Sequence, residues 1–385
     1  MSKSKSKILF ILTLPPPLHG ANITNKELWE SKVRQAFDCV LLDISDIRDI
    51  NNMGKFDFVN VKLALKGLFN LFRLLRKQRF DLVYILSSQN NLGFFRDGLF
   101  ILLVKAISGR SKIVVHLHGS YFKGFYLATN WFMQRFIDFT LKKVDSAIVL
   151  GDALKPIFTD WIKDVYVVPN GTDILLSDNG NGQVCRHRMS ANGRVTILFL
   201  SNLKKFKGIL DVIKSAVDVC KRYPQVVYKV AGTWGHDIFS DVSPEELKEE
   251  VMEIIRANGL EHAIQFKGFV TGQVKEDLLL DAHIFVLPSH CEGHPRAIIE
   301  AMAASCPVIS TRIGAIPDTV MEGETGFLIE PRNPGMLTDR IACLIEDRGL
   351  RERMGKAARE RYERLYTKER FIEHMIDVFK DILSK

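Results

Sequence analysis

The chain has 385 residues, 46% of them apolar and 25% charged. That composition supplies two cores of ordinary size at about 100–200 residues per domain and excludes extended disorder. The net charge of +8 is placed unevenly: residues 1–180 hold 24 Lys and Arg against 16 Asp and Glu, while residues 181–385 hold 29 of each. The first half is therefore matched to an anionic partner, whether a membrane surface, a phosphorylated acceptor or nucleic acid. Six scattered cysteines, with no CxxC pair and no His/Cys cluster, point to free thiols in a reducing compartment rather than to a disulfide or zinc framework.

Lys3, Lys5 and Lys7 precede an apolar run at 8–14, an order that imitates a secretory leader. The run is short, and Pro15-Pro16-Pro17 stands where a small-residue cleavage site would be, so the segment reads as a first buried strand over 7–13. Further strands are expected at 39–43, 82–86, 112–116, 147–150 and 165–168, with helices at 22–35, 61–79 and 130–142 between them. No apolar run approaches the roughly 18 residues of a membrane span; the best, 92–108, is interrupted by Arg96, Asp97 and Lys105. A polar stretch at 177–193, rich in Asn, Asp and Gly, reads as a linker. A second series then follows, with strands at 195–200, 226–231, 264–266, 284–287 and 307–310 and helices at 208–222, 244–257 and 296–304. Residues 336–384 are expected to be helical.

Strand–helix alternation of this kind predicts parallel sheets with helices on both faces. The fold expected is α/β: two doubly wound, Rossmann-like domains facing a central cleft, with ligands at the carboxyl ends of the strands. The domain limits expected are 1–180, 181–365, and a C-terminal helix at 366–385 that packs back on the first domain.

Four segments carry candidate chemistry. In the first, Glu292-Gly293-His294-Pro295-Arg296-Ala297-Ile298-Ile299-Glu300, one glutamate follows a strand and the other lies inside the next helix. Carboxylates accept several hydrogen bonds from sugar and ribose hydroxyls, and a helix N-terminus favours a phosphate. The same spacing also fits a capping acid followed by a surface helix glutamate. The second is Ser201-Asn202-Leu203-Lys204-Lys205-Phe206-Lys207-Gly208, where Lys207 at a helix entrance can reach a diphosphate as a point charge, or simply belong to a solvated charge run. The third is Pro15-Pro16-Pro17-Leu18-His19-Gly20-Ala21-Asn22. Gly20 at a strand–helix turn admits close backbone approach to a phosphate, yet the run is not GxGxxG and does not support a dinucleotide site. The fourth is Val115-His116-Leu117-His118-Gly119 at a strand end, with both imidazoles on one face. A paired-histidine metal site lacks a local carboxylate there, and the chain has no Asp-x-Asp motif.

With the flanking residues included, the chain resembles the retaining GT-B glycosyltransferases of the large group 1 family (family 4). The matching residues are Pro288-Ser289, Glu292-Gly293-His294-Pro295, Glu300-Ala301-Met302-Ala303, Cys306-Pro307-Val308-Ile309-Ser310-Thr311, Gly314-Ala315-Ile316-Pro317-Asp318 and Gly326-Phe327-Leu328-Ile329. The resemblance covers nearly the whole chain and is most specific in the second half. It implies transfer of a hexose or N-acetylhexosamine from a nucleoside-diphosphate sugar to a hydroxyl of a saccharide acceptor, lipid-linked, in bacterial surface polysaccharide, capsule or lipopolysaccharide assembly. By that resemblance His118, Glu292 and Lys207 are the catalytic residues. Gly20, Asn202, Lys207, Phe269, Glu292, Gly293, His294, Arg296, Ala297 and Glu300 bind donor: Glu292 the sugar, Glu300 the ribose, and backbone near Phe269 the base. Tyr121 and Phe122 lie on the acceptor side. The family often has a basic residue where this chain has Asn202; either Lys204 or Lys205 compensates, or phosphate binding leans on Lys207. A UDP-sugar is favoured over a GDP-sugar, and no metal or other cofactor is expected. Two rival readings are a nucleotide-sugar epimerase or hydrolase on the same fold, and a non-enzymatic module for anionic polymers; nucleic acid itself is not an expected partner.

At about 100° per residue, Lys62, Lys66, Arg73, Arg76 and Lys77 share one face of the helix at 61–79, with Phe69 among them and Leu65 at their border; the opposite, apolar side is expected to pack on the sheet. The face reads either as solvated or as a surface for anionic lipid. The second alternative makes Lys66, Phe69 and Arg73 membrane-side residues of a cytoplasmic protein peripheral to the inner face of the membrane.

Overall fold

The computed structural model describes residues 5–16, 20–46, 48, 58–174, 194–237, 239–240 and 242–385. The chain divides into two compact units, one of Met1–Gly171 with Lys368–Lys385 and one of Thr172–Thr367. The expected linker at 177–193 and the middle of the 15–22 loop lie outside the described residues.

The first unit is built on six strands: β1 (Lys7–Leu12), β2 (Asp38–Asp43), β3 (Leu82–Leu86), β4 (Lys112–His116), β5 (Ser146–Val149) and β6 (Asp164–Val167). All pair in parallel, in the order β2-β1-β3-β4-β5-β6. Its helices are α1 (Gly20–Trp29), α2 (Val33–Ala36), α3 (Phe58–Lys77), α4 (Asn91–Ile107), α5 (Phe122–Ala128) and α6 (Trp131–Leu141). The helix expected over 22–35 is broken into α1 and α2. Ser31 turns its hydroxyl to the Leu28 carbonyl and accepts from the Val33 amide, which competes with the helical ladder.

The second unit has β7 (Val195–Leu200), β8 (Val226–Ala231), β9 (Ile264–Gly268), β10 (Ile284–Leu287), β11 (Val308–Thr311) and β12 (Gly326–Ile329). They are again all parallel, ordered β12-β11-β10-β7-β8-β9. Its helices are α7 (Ile209–Arg222), α8 (Pro244–Ala257), α9 (Gly272–Asp281), α10 (Arg296–Ala303), α11 (Ile316–Thr319), α12 (Pro334–Glu346) and α13 (Arg348–Leu365). The order in which the chain adds strands reverses between β7 and β10, β8 and β9 being laid on one side and β11 and β12 on the other, the place where an open α/β sheet leaves a crevice at its carboxyl edge. Strand β12 was not among the expected strands; a short run that begins with glycine carries little β signal.

The last helix, α14 (Lys368–Ser384), belongs to the first unit. Its Phe371, Ile372, Met375, Phe379 and Ile382 complete the core around Ile8, Phe10 and Tyr84. Phe379 meets Phe10, Phe37 and Tyr84 edge to face at 5.8, 6.1 and 5.7 Å between ring centroids.

Candidate active site

The two loops at the carboxyl ends of β7 and β10 form the core of the candidate site. After β7 the chain runs through Ser201–Lys204 into a short 3₁₀ turn, Lys205–Lys207, and then into α7. The turn between them is made by Gly208 at φ 81°, where a Cβ would stand 2.2 Å from the Pro288 carbonyl oxygen. Glycine is required both for the left-handed backbone and for that approach. The His290 amide donates to the Phe206 carbonyl at 2.7 Å, tying the two loops together. Gly314, at φ 54°, sits equally close beneath the other loop, where a Cβ would be 2.0 Å from the Glu292 carbonyl oxygen.

This framework brings Lys207 and Glu292 into contact. Lys207 Nζ donates to Glu292 Oε1 at 2.6 Å, and the Ser289 hydroxyl donates to the same oxygen at 2.9 Å. Glu292 is buried, and Lys207 is only partly exposed. Ser289 is itself fixed, because Thr311 donates to its carbonyl at 2.6 Å. One turn of α10 beyond its start, buried Glu300 accepts from Lys275 Nζ of α9 at 2.8 Å. Next to the lysine turn, His290 Nε2 lies 2.6 Å from Asp211 Oδ2 in the first turn of α7.

The remaining residues expected on the donor side take distinct places. Asn202 is exposed and accepts from the Thr233 hydroxyl at 3.4 Å. With Ser201, Gly232, Phe269 and Val270 it lines a shallow pocket over the ends of β7 and β8, and the Phe269 ring is 60% exposed above it. Lys204 is half-buried beside Phe206; burial, then the neighbouring Lys207 ammonium, pull its pKa down, with Asp237 opposing. Lys205 points to solvent. Gly293 accepts the Ala315 amide at 2.8 Å. His294 is buried, with Nε2 2.9 Å from the Thr319 hydroxyl and its ring edge-on to Tyr366. Burial, aided by the Arg296 charge, lowers its pKa to about 3, so the ring is neutral at pH 7 and anchors the loop. Arg296 and Ala297 open α10, and Arg296 reaches the Thr172 hydroxyl at 3.1 Å.

In the first unit, His118 follows β4 and its ring stacks on His116, 4.2 Å between centroids and 32° between planes. His116 is fully buried with Nδ1 2.5 Å from the Tyr84 hydroxyl, and burial followed by the nearby His118 drives its pKa well down. A group of three or more potential metal ligands is absent among the described residues. Gly20 is the first residue of α1. Tyr121 is exposed, and its amide donates to the Gln89 side-chain oxygen at 2.7 Å. Phe122, expected on the acceptor side, is instead a core residue: it is fully buried, 5.5 Å from Phe94, 5.7 Å from Phe125 and 5.1 Å from Phe158 between centroids. Helix α5 begins at that residue and turns it inward.

Two groups of the site were not singled out in the sequence. Lys275 lies on α9 outside every recognisable motif, and Ser289 stood in the matching run without a role. A hydroxyl three residues before the glutamate was the only sequence signal for either.

Two parallel six-stranded sheets wound in this manner define the GT-B fold. Sucrose-phosphate synthase from Thermosynechococcus elongatus is similar with a TM-score of 0.74, 17% identity, and coverage of 99% of this chain and 100% of that one. HepE from Anabaena, in complex with UDP and glucose, is similar with a TM-score of 0.70 at 18% identity, covering 98% and 100%. Residues 187–361 match the family described as glycosyl transferases group 1. The D-inositol 3-phosphate glycosyltransferase of Corynebacterium efficiens is 29% identical over 203 residues, 51% of this chain and 46% of that protein. The capsular polysaccharide biosynthesis glycosyltransferase CapM of Staphylococcus aureus is 26% identical over 208 residues, 54% and 51% of the two chains. The chain thus spans about half the length of these curated relatives. Over residues 187–361 the chain is similar to the group 1 glycosyltransferases, and over its whole length it shares the GT-B fold.

The neutral His294 sets a pH dependence. Its folded pKa, near 3, lies below the unfolded value of about 6.5. Between those values the unfolded chain binds the extra proton, so stability falls as pH drops from about 6.5 toward 3 and is unaffected by this group above about 7. Urea unfolding across pH should show a shallower acid slope in His294→Gln than in the wild type; equal slopes would show that the ring is not held neutral.

Proposed function

We propose that the protein transfers a hexose or N-acetylhexosamine, with retention, from a UDP-sugar to a hydroxyl of a lipid-linked saccharide during bacterial surface-polysaccharide assembly. The observation that carries this reading is the Lys207–Glu292 pair, held by Ser289 at the carboxyl edge where β7 and β10 diverge. When a nucleoside-diphosphate sugar binds, the ammonium of Lys207 turns to the diphosphate and Glu292 accepts hydrogen bonds from the sugar hydroxyls. In the transition state negative charge grows on the departing diphosphate, and Lys207 with the first-turn amides of α10 stabilises it. Lys204, beside Lys207, supplies the second positive charge that Asn202 does not. Glu300, oriented by Lys275, binds the ribose, and the pocket beneath Phe269 receives the base. Retention follows a front-face displacement in which the leaving phosphate takes the acceptor proton, and His118 contacts the transferred sugar.

The finer choices rest on similarity. HepE was solved with UDP and glucose, which supports a UDP-sugar, and CapM acts in capsular polysaccharide biosynthesis, which supports a surface glycan. A lipid-linked acceptor places the enzyme on the inner face of the cytoplasmic membrane as a peripheral protein.

Lys207→Ala and Glu292→Gln should each lower transfer by about 10²-fold or more, the scale for one lost electrostatic group, with little change in folding. Wild-type rates in either folded variant would remove it from the site. Because charge on the diphosphate is met by lysines and amides, transfer should persist in excess chelator. Loss of activity restored by Mg²⁺ or Mn²⁺ would replace that account with a metal-assisted one.

A further inference from the structure

The outer helical layer of the first unit exposes an unusual amount of large apolar surface. Helix α3 was expected to bury its whole apolar side, yet only Gly67, Leu71 and Leu75 are buried. Phe58 is 91% exposed, Leu65 61% and Phe69 60%. Helix α4 packs against both α3 and α6 and leaves Phe95 exposed, its ring 5.1 Å from Phe136 of α6. On α6, Trp131 is 60% and Phe132 77% exposed, and Phe139 is exposed as well. A soluble monomer rarely shows an apolar patch spread over three adjacent helices without a use for it.

The exposed charges on these three helices have one sign. Helix α3 contains Lys62, Lys66, Arg73, Arg76 and Lys77 and no acidic residue. The acids on its neighbours are occupied: Asp97 is buried against Arg96 and the Ser88 amide, and Asp138 accepts from Tyr126 and Trp161. Cations lie over the exposed rings, Arg73 over Phe69 at 5.9 Å, Arg135 over Trp131 at 5.7 Å and Lys143 over Phe139 at 4.4 Å. At the C-terminal ends of α3 and α4 a concavity of about 490 Å³ is lined by Arg76, Lys77, Arg79 and Arg110 and by no carboxylate.

We propose that the outer face of α3, α4 and α6 docks the protein on an anionic lipid surface, with the basic residues of α3 supplying long-range attraction and Trp131 and Phe132 entering the headgroup boundary. Basic residues beside exposed aromatic rings are what an interfacial helix needs: the charges attract anionic headgroups and the rings partition below them. A second copy of the chain fits worse, since a two-fold contact would set like charges against each other. The inference rests on the membrane-side acceptor proposed above, because only such an acceptor gives the docked state a purpose; its observations are independent of the donor site.

Sedimentation of the full chain with vesicles of neutral lipid alone, and with vesicles containing an acidic phospholipid, tests it at low and high salt. The wild type should bind the acidic vesicles preferentially and keep a residual bound fraction at high salt. Lys66→Glu with Arg73→Glu and Arg76→Glu should lower low-salt binding about 10-fold or more. Trp131→Ser with Phe132→Ser should abolish the high-salt residue. All these side chains are exposed, so melting temperatures should not move. Transfer to a short water-soluble acceptor should also be unchanged, which separates failure of docking from failure of the enzymatic reading. Equal binding to neutral and acidic vesicles, wild-type binding by both variants, or a dimer in sedimentation velocity that Phe132→Ser dissolves would overturn the proposal.

Discussion

A lysine and a glutamate separated by 85 residues of sequence share a contact of 2.6 Å at the edge of a parallel sheet. The rest of the second unit's carboxyl edge is arranged around keeping them there. A mostly buried ion pair is a poor means of stabilising a fold, because the desolvation of both ions offsets most of their attraction. What the pair does provide is two groups of opposite charge, already desolvated and held on fixed loops. An incoming ligand that carries both hydroxyls and phosphates can replace each partner with its own complement. The Lys275–Glu300 pair repeats the arrangement on the neighbouring helix. Two such pairs at one sheet edge are costly as structure, which is what favours reading them as a binding site.

The loops that carry these groups are rigid for reasons that lie in the backbone. Gly208 and Gly314 bring chain to within van der Waals contact at places where a side chain would collide with a carbonyl. The His290 amide and the Thr311 hydroxyl then close the remaining gaps with hydrogen bonds. His294, neutral and buried, fixes the start of α10 without competing for an anion. Site groups on such a framework lose little freedom when a ligand binds, which is how preorganised electrostatics lower a barrier.

Much of the fold was legible in the sequence because parallel strands buried on both faces read as β-branched runs, such as Val195–Leu200 and Val226–Ala231, with amphipathic helices between them. The misses have local causes. Gly326–Ile329 is too short and starts with glycine. The break between α1 and α2 depends on a serine hydroxyl that no periodicity reports. In the candidate site, Glu292, Glu300 and Lys207 were expected because residue type and position after a strand were both informative, and the structure brings Lys207 to Glu292. Lys275 did not, since a lysine on a helix becomes meaningful only when packing brings a buried carboxylate to it. Phe122 failed in the opposite sense: next to Tyr121 it looked like part of an aromatic loop, and the first turn of α5 sends it into the core. Of the exposed rings, Phe69 was expected on the basic face of α3; Phe58 of α3 and Trp131, Phe132 and Phe139 of α6 were hidden, because a helix rich in leucine and phenylalanine does not say which of its sides the sheet will cover.

The central claim is that Lys207 acts on a nucleoside diphosphate. Calorimetric titration of UDP and GDP, each beside its monophosphate, into the wild type and Lys207→Ala tests it most directly. The account predicts that at least one diphosphate binds the wild type more tightly than its monophosphate, and that this advantage collapses in Lys207→Ala while the monophosphate affinity is retained. A diphosphate advantage that survives the substitution, or a wild type that binds neither diphosphate, would contradict it.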